Sequence, residues 1–276
     1  MDPQAEVLML RRFCLSVAGF FAASEACGEW ALNMPRGATE MSAETYGLHM
    51  MVFYWCVAIA VVVFGTMIFT MVRHRKSRGV TPARFSHSMT AEVIWTIIPI
   101  IILLLMAVPA AETLIRIEDN RDPDLTIVVT GYQWRWQYSY QGENVSYYSS
   151  IALPSNIARR IHSGIDPRSV DNYLLEVDNP LVVPKGAKIR VLLTSNDVIH
   201  SWWVPELSIK KDAIPGFMNE TWFQAEETGV YRGQCAELCG MDHAYMPIVV
   251  EVVEPDAFQS WLDSEKEEPP AEPTAE

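Results

Sequence analysis

Two stretches of this chain carry no charged residue: Met50 to Val72, 23 residues, and Val93 to Ala111, 19 residues. At about 1.5 Å of rise per residue, either run as a helix can cross a hydrocarbon layer of roughly 30 Å. Pro99 and Pro109 in the second run are tolerated better in a membrane helix than in a soluble one. Two buried helices of a soluble core fit these runs poorly. The mean hydropathy is +0.08 while the net charge is −13, so apolar and charged residues must be segregated along the chain.

A third apolar element is of another kind. Arg11 and Arg12 precede a short run from Phe13 to Ala23, followed by small residues at Ser24 and Ala26. This is the layout of an export signal, residues 1–26, cleaved after Ala26, and its apolar core is too short for a span. Cys27 would then lead the mature chain, with Ser24 standing where a lipidation motif carries leucine. Between the two long runs lie Arg73, Arg75, Lys76, Arg78 and Arg84, with no acid before Glu92. Basic linkers stay in the cytoplasm, so both ends of the hairpin are expected on the outer face. The predicted organisation is an exported segment 27–48, a hairpin 49–117 with spans near 49–72 and 92–112, and an exported domain 118–262. An acidic tail, 263–276, is predicted to be disordered.

Residues 118–276 hold 26 Asp and Glu against 12 Lys and Arg, a net of −14. Such a field favours a basic soluble partner and disfavours nucleic acid. Beyond the second run the hydrophobic period changes. "LTIVVTGYQWRWQYSY" (Leu125 to Tyr140) is β-branched and aromatic with partial alternation. Further strands are predicted at Tyr173–Val177, Lys188–Thr194, Glu220–Ala225, Val230–Gly233 and Pro247–Val253, with a long surface excursion over 154–172. Gly, Pro, Asn and Asp in the gaps point to an all-β sandwich or small barrel.

Of five cysteines, only Cys235 and Cys239 lie in the exported domain. A disulfide is the default for two thiols in an oxidising compartment. A loop so short, however, constrains the unfolded chain little, and it leaves His243 and Met246 in "GQCAELCGMDHAYMP" without a role. Thiolate, imidazole and thioether together suit copper, and such a cluster at the end of a β-sandwich marks an electron-transfer site. "SNDVIHSWWVP" supplies a distant histidine, His200. One copper needs a single cysteine. Two thiolates can bridge a pair of coppers, spread one unpaired electron over both, and so lower the reorganisation cost of electron transfer.

"GYQWRWQY", "HSWWVPEL", "KDAIPGFMNE" and "GQCAELCGMDHAYMPIVVEV", in this order after a two-span hairpin, resemble subunit II of haem-copper cytochrome c oxidase. The resemblance runs from about Trp30 to Trp261. It implies a cupredoxin-like fold holding a dinuclear copper centre, CuA. Cys235 and Cys239 would bridge the metals, His200 and His243 would be the terminal ligands, and Met246 and the Glu237 carbonyl the weak ones. The resemblance also assigns the Glu237 carboxylate to a magnesium ion at the contact with subunit I. It implies cytochrome c as donor, subunits I and III as membrane partners, and the inner membrane with the C-terminal domain in the periplasm as the location. No C-x-x-C-H is present, which argues against a fused haem domain. A quinol oxidase subunit would lack the copper ligands, and nitrous oxide reductase would not explain the hairpin. A membrane-anchored copper-delivery protein remains the competing reading.

Three further positions follow from the resemblance. Trp134 matches the tryptophan that receives the electron, although strand alternation would put Trp136 on the same face. Glu92 matches a glutamate at the mouth of a proton path, and equally suits a carboxylate at a helix N-terminus. Asp178 and Asp197 match acids near the cytochrome c contact, while Ser139 stands where the family often has another acid.

Overall fold

The computed structural model describes residues 33–79, 81 and 86–267. The predicted signal at 1–26, Cys27 and the end of the tail at 268–276 lie outside the described residues.

The uncharged runs sit within two long helices, α1 (Glu40–Arg73) and α2 (Met89–Ile117), both long and apolar enough to span a membrane. Their apolar side chains are exposed nearly all round, from Phe53 and Val61 to Leu104 and Ile115. That surface suits lipid rather than water. Helix α1 starts in a capping box, in which Thr39 and Ser42 bond each other's backbone reciprocally. Glu44 of α1 pairs with Arg116 and accepts from Thr113 of α2, tying the helices at one end.

That same end is fastened to the β-domain. Ala38 N–H donates to the Glu206 carbonyl at 2.8 Å, Glu226 N–H donates back to Ala38, and Thr39 bridges Ala225. Past α2, the Lys188 ammonium donates to the carbonyls of Asp119 and Arg121, and the Trp222 indole donates to that of Arg116. These bonds tie the end of α2 and the segment that follows it to β5 and β8.

The β-domain is a sandwich of two five-stranded sheets. The strands are β1 (Leu125–Tyr132), β2 (Arg135–Tyr140), β3 (Val145–Ser149), β4 (Leu181–Pro184), β5 (Lys188–Ser195), β6 (His200–Val204), β7 (Ile209–Ala213), β8 (Asn219–Gln224), β9 (Gly229–Cys235) and β10 (Pro247–Val253). One sheet runs β3-β2-β1-β5-β8 and the other β4-β10-β9-β6-β7. Pairs β1/β5 and β4/β10 are parallel, and the remaining pairs are antiparallel. Burial alternates strictly along β5, the signature of one face on the core. Ile127, Val129, Trp136, Tyr138, Val191, Leu193, Trp202 and Ile248 fill the interior without exposure. Gly233 is required at the β9/β6 seam, because a Cβ there would lie 2.0 Å from the Trp203 carbonyl oxygen.

Several sequence expectations change. Leu125 to Tyr140 is a hairpin rather than one strand, with Gln133 and Trp134 forming its turn between the paired Tyr132 and Arg135. Tyr173–Val177 is a turn, with only Val177 bridged, to Ile151. Asn172 and Leu174 take positive φ of 47° and 65°, which no strand allows. The strand forms instead at Leu181–Pro184, after Pro180. The excursion contains a short helix, α3 (Leu153–Ala158). The chain does not become irregular at Asp263, since helix α4 (Pro255–Glu267) continues through it. Phe258 and Leu262, four residues apart and both buried, give α4 one apolar face, and Trp261 packs on Tyr140 at 5.3 Å.

Candidate metal centre

The centre forms where two strand ends meet. In the β6/β9 pairing Trp202 lies opposite Cys235, and Ala236 N–H donates to Ser201. The first residue of β6, His200, therefore stands beside the last residue of β9, Cys235. The chain leaves β9 through a loop, makes a 3₁₀ turn at His243–Tyr245 and enters β10. Cys235 N–H closes this loop on the Met246 carbonyl at 3.0 Å.

Both thiols are free and buried, with their sulfurs 3.8 Å apart. His200 Nδ1 is 3.9 Å from Cys235 Sγ, and His243 Nδ1 is 3.5 Å from Cys239 Sγ. Donor atoms of His200, Cys235 and Cys239 lie within 4.8 Å of one another and form a possible metal site. Met246 is 1% exposed at the end of the same loop. The Glu237 carbonyl oxygen lies 3.4 Å from Cys235 Sγ, whereas the residue as a whole is exposed. His200, Cys235, Cys239 and His243 thus gather at one point, with Glu237 directing its backbone carbonyl to Cys235 and Met246 buried at the end of the loop.

Asp197 is exposed, as expected of a rim acid, and it also faces the cluster. Its carboxylate is 2.9 Å from His200 Nε2 and accepts N–H bonds from Gln133 at 2.7 Å and Val198 at 2.6 Å. Burial alone would raise this carboxyl, but the bonds from His200, Val198 and Gln133 outweigh it and hold the carboxyl below its usual range. By occupying Nε2, Asp197 leaves Nδ1 of His200 for the sulfurs, the arrangement by which a carboxylate orients a metal-binding histidine. Burial lowers the basicity of His200, yet Cys235 and Asp197 more than offset it, and the imidazole is raised. The two thiols differ. Burial raises Cys235, but hydrogen bonds from His200 and the backbone bring it down to about 7. Burial and the adjacent Cys235 push Cys239 up to about 12. The metal-free pair is therefore ready to ionise at one sulfur near neutral pH, which favours metal capture.

The two tryptophans take different places. Trp134, half-buried on the β1–β2 turn, donates its indole N–H to the Cys239 carbonyl at 3.3 Å, and Gln133 Nε2 donates to the same oxygen at 2.8 Å. Trp136 is wholly buried and meets the His200 ring edge-on at 5.8 Å. They do not share a strand face, because the turn separates them. Asp178 is exposed and caps a loop, accepting from Ser150 and Asn179 N–H at 2.7 and 2.8 Å. Glu92 stands in the first turn of α2, four residues past its cap Ser88, and is partly exposed. Gln133, Gly131 and Arg159 were not legible as site residues.

A membrane-anchored cupredoxin-like domain with a two-cysteine, two-histidine cluster is the class that fold and site define. Residues 125–253 match the family model for the periplasmic domain of cytochrome c oxidase subunit II, and residues 27–112 match its transmembrane domain. A Rickettsia bellii protein named "Probable cytochrome c oxidase subunit 2" is 40% identical over 235 residues, 85% of this chain and 84% of that one. The cytochrome c oxidase subunit 2 of Cereibacter sphaeroides is 38% identical, covering 76% of this chain and 73% of its own. The crystal structure of the periplasmic domain of subunit II of cytochrome oxidase from Bradyrhizobium japonicum aligns at 44% identity and a TM-score of 0.46, over 52% of this chain and 95% of that one. The chain belongs to the cytochrome c oxidase subunit II family.

Proposed function

We propose that this chain is the electron-entry subunit of a respiratory oxidase, taking electrons from cytochrome c and passing them to haem in subunit I, where oxygen is reduced to water and protons are pumped. The observation that carries this reading is the convergence of His200, Cys235, Cys239 and His243 on one point, with Asp197 turning Nδ1 of His200 towards the thiols. The donor set suits copper: two soft sulfurs close enough to bridge, two imidazoles and a buried thioether. Cys235 and Cys239 would bridge, His200 and His243 would terminate the centre, and Met246 and the Glu237 carbonyl would complete it. Bound there, a dinuclear copper centre supplies one-electron chemistry at low reorganisation cost.

The protein's part is to hold these ligands still and keep water out. His200, Cys235, Cys239 and Met246 are all at most 4% exposed. Trp134 bonds the backbone of a bridging cysteine, which supports its role as the residue that accepts the electron. The Glu237 carboxylate is free of the cluster and available to a magnesium ion at the subunit I contact. Glu92, on the basic-linker side, is proposed to stand at the entrance of a proton path. Lipid surrounds α1 and α2, and subunits I and III are the membrane partners. The C-terminal domain faces the periplasm from the inner membrane, where the acidic surface, Asp178 included, receives a basic cytochrome c.

The full chain, purified in detergent and loaded with copper, should give a seven-line mixed-valence electron paramagnetic resonance spectrum. Cys239→Ser should abolish it, since a hydroxyl is a poor bridge for soft copper. Met246→Leu should retain two coppers and shift the potential. A four-line spectrum in the unaltered chain, or colour persisting in Cys239→Ser, would overturn the reading.

A further inference from the structure

The loop from Gly240 to Met246 carries two of the metal ligands, yet little of its own backbone bonding holds it. Within it, His243 N–H reaches Gly240 at 3.3 Å and Tyr245 N–H reaches Asp242 at 2.9 Å. Its outer side is held by a residue 83 positions upstream. The Arg159 guanidinium donates through both terminal nitrogens to the two Asp242 oxygens, at 3.3 and 3.2 Å, and lies 4.2 Å from the centre of the Tyr245 ring. Asp242 precedes His243, and Tyr245 precedes Met246. One planar cation thus grips the residue before each ligand, which a lysine cannot do with the same geometry. Both ion-pair side chains are only 23% exposed, so the contact is less screened than an open surface pair.

Arg159 is itself anchored. Its Nε donates to Asn156 at 2.8 Å, Ser155 accepts from Leu174 N–H, and Ala152 N–H donates to Glu176. Glu176 pairs with Arg232 of β9, three residues before Cys235. The excursion therefore touches both arms of the ligand loop, the strand entering it and the turn leaving it.

We propose that the segment 150–178, the excursion with its two flanks, braces the metal-ligand loop, with Arg159 as a positioning residue that fixes the Asp242–Met246 segment and neutralises the carboxylate beside His243. This rests on the copper reading above. Removing the cation leaves a negative charge next to a ligand, which favours the more positive, oxidised centre and moves the midpoint potential down. Removing Asp242 acts the other way.

The experiment compares Arg159→Gln, Arg159→Lys, Asp242→Asn and the Arg159→Gln/Asp242→Asn double variant in the full chain. Arg168→Gln, exposed on the same excursion, is the control. In copper-loaded protein, Arg159→Gln should lower the potential, Asp242→Asn should raise it, and the double variant should return towards the unaltered value. Copper loss to a chelator should quicken about fivefold in Arg159→Gln, less in Arg159→Lys, and non-additively in the double variant. In metal-free protein, amide exchange over 240–246 should quicken in Arg159→Gln and stay unchanged in the control. Potentials moving in the same direction in both single variants, or exchange over 240–246 unchanged in Arg159→Gln, would overturn the brace. If the unaltered chain binds no copper pair, the copper reading fails by itself, and the exchange measurement still decides the brace.

Discussion

Gly131 on β1 faces His200 so closely that a methyl group built on it would lie 2.7 Å from the imidazole Cδ2. His200 is wholly buried and backed by Trp136, so the ring has little room to retreat. Gly131→Ala is expected to push His200 off its hydrogen bond to Asp197 and away from the thiols. Overpacking of this kind costs about 1–3 kcal/mol of stability. Denaturation should show that loss, and the copper-loaded variant should show an altered hyperfine pattern. An unaltered spectrum would mean that the ring accommodates the methyl group without moving its ligating nitrogen.

Asp197→Asn tests two roles of one side chain. As an acid on the exported face, Asp197 contributes to the field that steers a basic partner, so its loss should lower the on-rate. Its bond to His200 Nε2 predicts more: copper affinity should fall by about tenfold or more, as when an orienting carboxylate is removed. Titration with a competing chelator measures this apart from docking. A variant slowed only in association would leave Asp197 as a surface charge.

Trp134→Phe removes the N–H bond to the Cys239 carbonyl and leaves the charge unaltered. Flash photolysis of a labelled cytochrome c should find affinity and salt dependence near the unaltered values, with electron transfer inside the complex much slower. Salt should slow association in both proteins, because exposed charges are screened beyond about 8 Å at physiological ionic strength. A change confined to affinity would remove Trp134 from the electron route.

Alkaline stability should depend on two interior tyrosines. Tyr138 and Tyr140 are 0% and 2% exposed, and burial pushes both hydroxyls well above the usual value near 10. A raised acid of this kind contributes stability that is fully present below pH 10. The contribution is lost as pH climbs towards the folded-state value, because the unfolded chain releases these protons first. Unfolding free energy should fall by roughly 1 kcal/mol per pH unit for each tyrosine above pH 10. Among the described residues Tyr138 OH makes no close hydrogen bond, with only Trp202 and Ser149 beside it, so Tyr138→Phe should fold normally and show a shallower slope. An unchanged slope would rule out Tyr138 as a contributor.

What the sequence determined by itself was whatever is written in near neighbours. Lack of charge over 23 and 19 residues sufficed for the hairpin, and five of the six expected ligands, Cys235, Glu237, Cys239, His243 and Met246, fall within twelve residues. His200 was legible as a ligand only because of the motif around it. The tertiary structure decided the rest, through pairings that no local pattern encodes. The β1–β2 turn separates Trp134 from Trp136, so one reaches Cys239 and the other backs His200. Alternation reports which side of a strand a residue occupies, but it does not report where the strand stops. Asp197 read as surface charge because its partners, Gln133 and His200, come together only when β1 and β6 bring their ends to one place. The Arg159–Asp242 pair spans 83 residues, and an arginine at the end of a short helix carries no mark of its partner. Chemistry that needs only the right donors at short spacing was present in the chain. Chemistry that depends on which atom of a donor faces inward required the fold.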